Sequence, residues 1–258
     1  MNKLLVLLKR DLKNSFNKKF FILLSFMVLF QLWFVFGSNS IGQVKETGEM
    51  PYMAVVFSFN FFGSIVALAL NFNGISNERE AKFLDLMLTS DISKNKVYFS
   101  KIITSFLISS VFASMYTFAF MLVYLIMSGD IGISLMTLRY IFPITAFLSI
   151  FSLMGLMLSV IFRSSKASLV ISIIIGGLLM PRLFMVIVDG LNSLFGLSQQ
   201  VVEIIYMISP ALIMNALNGY SQITYFLWGL LLLVIYHVAI ILIGIKAFVK
   251  QDELNYGE

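Results

Sequence analysis

The residues of this chain that could do chemistry are few, and nine of them sit together. Nine charges, Glu78, Arg79, Glu80, Lys82, Asp85, Asp91, Lys94, Lys96 and Lys101, fall within residues 77–101 of a chain that is 59% hydrophobic and 12% charged. The segment combines charges with an amphipathic pattern, which suits recognition. If residues 78–88 are helical, Phe83 and Met87 share one strip and Leu84 and Leu88 the next, bracketed by Glu78, Arg79, Lys82 and Asp85. Such a helix can press an apolar ridge into a groove on a partner. Loops between membrane helices can be very short, so a charged insert of this length reads as a docking surface for something soluble. Glu78 and Glu80 also have a structural reading, because acidic residues complement the dipole at a helix start.

The rest of the inventory excludes several activities. Cysteine is absent, and with it any disulfide, thiolate metal site or cysteine nucleophile. His237 is the only histidine and lies in the last apolar stretch, where no Asp or Glu could complete a relay or a metal site. It reads as a packing or hydrogen-bonding residue, so neither a catalytic residue nor a metal ligand is assigned. There is no G-x-x-x-x-G-K-[ST] phosphate loop, so ATP is not hydrolysed here by that route. A secondary transporter should show buried carboxylates, broken helices or an internal repeat, and an intramembrane hydrolase should show convergent Glu/His, Ser/His or paired-Asp groups. Neither pattern is evident. What the apolar stretches do carry is stripes of small polar residues: Thr145, Ser149, Ser152 and Ser159; Ser168, Ser172 and Gly176; Ser105, Ser109 and Thr117. Close helix packing explains them by default, with a substrate path as the alternative. Gln31, Asn60, Asn71 and Asn73 are open in the same way.

Composition settles which elements must position these residues. A mean hydropathy of +0.94, with 26 Phe, 15 Met and four Pro in 258 residues, places the chain among polytopic helical membrane proteins. The expected fold is all-α, one transmembrane domain over 1–258 with spans at 20–36, 51–75, 102–127, 140–162, 167–188 and 223–248. Fifteen of the 18 basic residues fall on one side of these spans, and only Lys45, Arg139 and Arg182 on the other. By the positive-inside rule both termini are cytoplasmic and the chain is a multi-pass protein of the cell membrane. A signal peptide cleaved near Val35 or Gly37 is not expected, because the apolar run is long for one and five more spans follow. Residues 1–19 read as a helix lying on the cytoplasmic leaflet, with Leu4, Leu8, Leu12 and Phe16 on its apolar strip and Lys3, Lys9, Arg10 and Lys13 elsewhere around it. Residues 199–218 are too apolar for a solvated loop and are broken at Ser209-Pro210. They read as an external re-entrant hairpin, or else as a span kinked at Pro210.

This arrangement resembles the permease subunit of type-2 ABC transporters of the bacterial exporter type. In that family an amphipathic helix precedes the first span, re-entrant helices precede the sixth, and a coupling helix between spans two and three opens with an E-R-E-x-G-T-L-E-x-L-L-like pattern. Glu78-Arg79-Glu80, Leu84-Asp85 and Leu86-Met87-Leu88 follow that pattern in order. Lys82 and Phe83 replace the usual Gly and Thr, Asp91 stands where Pro is common, and Ser100-Lys101 replaces Gly-Lys. The resemblance implies a dimer of permease subunits, identical or paired with a sister, driven by two separate ABC ATPase subunits that carry the ATP and Mg. Glu78, Arg79, Glu80, Phe83, Leu84, Asp85 and Met87, with the turn at Arg163 and Lys166, would transmit their motion. The permease itself holds no cofactor, performs no catalysis and binds no nucleic acid. Its cargo would be amphipathic or hydrophobic: a lipid, a drug or, favoured by the resemblance, a peptide. A secondary transporter or another non-ATP-driven membrane protein is the alternative.

Overall fold

A computed structural model describes residues 3–38, 40–50, 53–72, 74–82, 92–162, 164–178, 181–198, 202, 205, 208–218 and 223–253. Among them every regular element is a helix. Helix α1 (Lys3–Ser15) leads into α2 (Lys18–Gly37), whose first turn is capped by the Asn17 side chain accepting from the Lys19 and Phe20 amides. After α3 (Ser40–Thr47) the chain crosses again as α4 (Met53–Ser58), a π-helical turn (Phe59–Gly63) and α5 (Ser64–Asn71), then forms the short α6 (Ser76–Glu80). Helix α7 (Lys94–Ser128) ends at Gly129, which takes the left-handed conformation that glycine tolerates best. Asp130 then caps α8 (Ile131–Leu135), and a 3-10 stretch (Met136–Tyr140) feeds α9 (Ile141–Ile161). Helices α10 (Ser165–Leu178), α11 (Pro181–Phe195), α12 (Ile213–Asn218) and α13 (Ile223–Glu253) complete the chain.

Five helical runs are long and apolar enough to cross a membrane: 18–37, 53–80, 94–128, 131–161 and 223–250. They correspond to five of the six expected spans. The 167–188 stretch is described as α10 up to Leu178 and as α11 from Pro181, and residues 179–180 between them lie outside the described residues. A difference lies in the charged insert. Its last eight residues belong to α7, whose 35 residues make about 52 Å of helix against a hydrocarbon core of about 30 Å. Part of the expected loop is thus a rigid extension of a span.

Helix α9 is the hub. Within the 131–161 run, 78% of the apolar stretch is buried, against 11% in 223–250, and α9 packs on α5, α7 and α13. Phe147, Phe151, Phe112, Phe120 and Tyr116 fill the space between these helices. Large apolar side chains on α2, such as Ile22, Leu29 and Trp33, face outward, as they would toward lipid. The contact of α5 with α9 is especially close, because a Cβ at Gly155 would lie 2.6 Å from the Leu68 carbonyl oxygen. At the opposite end, the start of α4 is pinned by polar side chains. Gln31 donates to the Met53 carbonyl (3.0 Å) and accepts from the Ser58 amide (2.7 Å), while the Tyr116 and Tyr124 hydroxyls donate to the Val55 and Ala54 carbonyls.

Candidate functional site

The described part of the charged insert sits in a polar network at one end of the bundle. Helix α6 continues the second crossing by five residues, and α7 begins the third with the charged end of the insert. Both lie against α1. At their meeting point the Lys101 ammonium contacts the Glu78 carboxylate at 2.6 Å and Asp11 at 3.0 Å, and the Arg10 guanidinium reaches Asp11 at 2.6 Å and Glu78 at 3.0 Å. Ser100 donates to the other Asp11 oxygen at 2.8 Å. Asp11 is only 2% exposed. Two anions and two cations thus neutralise one another where separate burial would cost several kcal/mol per ion. Three elements that are distant in sequence are locked together by four side chains.

Two residues further along, Glu80 reaches the opposite side. Its carboxylate accepts from the Ser165 amide (2.7 Å) and the Ser165 hydroxyl (3.0 Å), capping the start of α10 from another part of the chain. These bonds, chiefly the amide, together with Lys166 nearby, hold the Glu80 carboxyl below the usual carboxylate range. Between them Arg79 extends toward the Val160 carbonyl at the end of α9 (3.5 Å). So α6 touches α1 and α7 through Glu78, α9 through Arg79 and α10 through Glu80.

Of the other residues singled out from sequence, Phe83, Leu84, Asp85, Met87 and Arg163 lie outside the described residues. Lys166 is exposed in the first turn of α10. The polar stripe on α9 makes contacts between helices: Ser149 meets His237 Nε2 at 2.9 Å, Ser152 accepts from the Asn71 amide at 2.5 Å, and Ser159 accepts from the Ile75 backbone amide at 3.2 Å. Asn71 also donates to Ser105 (2.8 Å), joining α5, α7 and α9 at one point. The Thr145 hydroxyl is buried without a partner. Ser209 is buried and extended, and Pro210 opens a 3-10 turn (Pro210–Leu212) that leads into α12 against α13. His237 stacks on Phe106 and bonds the Leu233 carbonyl through Nδ1. No group of three or more His, Asp or Glu is placed to hold a metal ion among the described residues.

The network also contains Asp11, which the sequence reading does not single out, and Lys101, which it counts in the insert without a role. Asp11 and Lys101 belong to it as fully as Glu78. Helix α1 turns Leu7 and Asp11 toward α7, whereas the expected apolar strip ran through Leu4, Leu8, Leu12 and Phe16, and Phe16 is exposed. A signal was present, because Asp11 is the single acidic residue before Glu46 in a strongly basic segment.

Comparison with curated proteins returned no match. A family model described as "ABC-2 family transporter protein" matches residues 12–179, a stretch that holds the first four apolar runs, α6, the whole charged insert and the Glu80–Ser165 contact. An all-helical, multi-pass chain carrying that match over well over half its length belongs to the ABC-2 family of transporter membrane proteins.

Proposed function

We propose that this chain is the permease subunit of an ATP-driven exporter and that the 77–101 segment receives the motion of its ATPase. The observation that carries the reading is the double attachment of α6. Glu78 ties it to α1 and α7, and Glu80 ties it to α10. A push on the residues that follow α6 would therefore reach the bundle through several elements at once. Membership of the family implies ABC ATPase partners, and the lack of a phosphate loop agrees with an engine on another polypeptide. Two permease subunits would enclose the pathway, with α1 on the cytoplasmic leaflet, the 199–218 segment dipping into the outer one, and the Arg163–Lys166 turn moving with α6. Adaptable Met- and Phe-rich walls suit an amphipathic cargo, for which a peptide is our first choice.

The test co-purifies the chain with its candidate ATPase and measures assembly, substrate-stimulated ATP hydrolysis and transport together. Phe83→Asp combined with Met87→Asp places charge on the expected ridge, and a charge buried there without a counterion costs several kcal/mol. The variant should fold, lose ATPase binding and lose transport in proportion. Normal assembly and coupled turnover in it would remove the segment from the mechanism and return a secondary transporter to consideration.

A further inference from the structure

Next to the charge network, the α1–α2 turn, the end of the second crossing and the start of α7 enclose a cavity of about 170 Å³. That is room for several waters or one small polar group. Four charged residues line it, Asp11, Lys19, Glu78 and Lys101, and the last three stand where their elements pass between polar and apolar sequence: Lys19 precedes Phe20, Glu78 follows Ile75, and Lys101 precedes Ile102. The cavity therefore sits at the depth of lipid headgroups on the basic side of the protein.

Its chemistry is incomplete in a specific way. Lys101 is matched by Asp11 and Glu78. The Lys19 ammonium lies 4.1 Å from the Phe72 ring centroid and has no carboxylate partner among the described residues. The Thr104 hydroxyl is buried, at 3% exposure, without a partner. Glu78 Oε1 takes both cations, while its buried Oε2 takes none. The wall thus offers a cation and a hydroxyl donor to an anion, and a carboxylate oxygen to a donor. A phosphodiester bearing a primary ammonium meets both needs. Inorganic phosphate has a hydroxyl but no ammonium to offer Glu78 Oε2, and a choline headgroup has no N–H to give it.

We propose that this cavity binds the headgroup of phosphatidylethanolamine, with the phosphate at Lys19 and Thr104 and the ammonium at Glu78 Oε2. The inference goes beyond the transport reading and needs no ATPase to test. Delipidated full-length chain in detergent would be titrated with phosphatidylethanolamine, phosphatidylcholine and phosphatidylglycerol, with retained lipid counted by native mass spectrometry. The wild type should prefer ethanolamine to choline lipid by about tenfold, the factor that one charge-assisted hydrogen bond of about 1.4 kcal/mol provides. Lys19→Gln and Thr104→Val should weaken binding of the ethanolamine and the choline lipid alike, because both present their phosphate to these residues, and inorganic phosphate should compete at most weakly. Equal binding of the ethanolamine and choline lipids by the wild type would overturn the proposal whatever the variants do. Tighter binding of phosphatidylglycerol would also overturn it, by assigning the cavity to anionic lipid. Full competition by phosphate would overturn it in favour of a free anion.

Discussion

Asp11 shows how much one side chain can hold. It accepts from Lys101, Arg10 and Ser100, and it is nearly inaccessible to solvent. Replacing it with Asn keeps the shape but leaves the buried Lys101 with Glu78 alone. Loss of one partner from a buried pair is strongly destabilising, about 3 kcal/mol at the lower end. Asp11→Asn should therefore lower the melting temperature in detergent, and Lys13→Gln, on the exposed face of the same helix, should not. Glu80 is a different case, because it is exposed and acts through geometry. Its folded carboxyl titrates below the ordinary carboxylate range, so its contribution is present above the unfolded value of about 4.3 and is lost as pH falls through the depressed folded value. The difference in thermal stability between wild type and Glu80→Gln should accordingly be constant near neutrality and vanish in acid. A difference that grew on acidification would mean that the Ser165 contact does not hold the charged form.

Among the elements, the α5–α9 contact makes the sharpest demand on a residue type. Gly155→Ala would place a methyl 2.6 Å from the Leu68 carbonyl oxygen, a backbone atom that cannot rotate away. Overpacking of this kind costs about 1–3 kcal/mol, while Gly37→Ala, with nothing within 4 Å, serves as a neutral control in the same melting assay. Gly155 also marks a limit on what could be read beforehand. Five apolar runs were legible because long, predominantly apolar stretches leave little choice of structure. The charged insert was legible as well, because it interrupts that pattern. Which neighbour each polar residue would meet was not. Asn71, Ser105 and Ser152 are far apart in sequence, and only the crossing of three helices brings them together. On α1 the buried face carries Leu7 and Asp11, which its apolar residues alone do not indicate because they are spread widely around the helix.

For the whole molecule, the open geometric matter is how the chain passes from α9 to α13. Helix α10 has 14 residues and α11 has 15, so each spans about 21–23 Å and neither alone covers a hydrocarbon core of about 30 Å. Together they suffice. The basic residues argue that they do cross. Lys246 and Lys250 should lie on the same side as the N-terminal cluster, which requires an even number of crossings. The chain contains no cysteine, so single cysteines can be placed and labelled without background. A cysteine replacing Lys96 or Lys250 should react only from the cytosol, and one replacing Glu46 or Gln199 only from outside. One replacing the buried Ser209 should be protected from both. If the residue 250 position is labelled from outside while position 96 is not, the 165–195 region turns back without crossing, and the bundle has five spans with its termini on opposite sides. If position 96 itself is labelled from outside, the charged insert faces away from any cytosolic ATPase and the coupling role proposed for α6 fails with it.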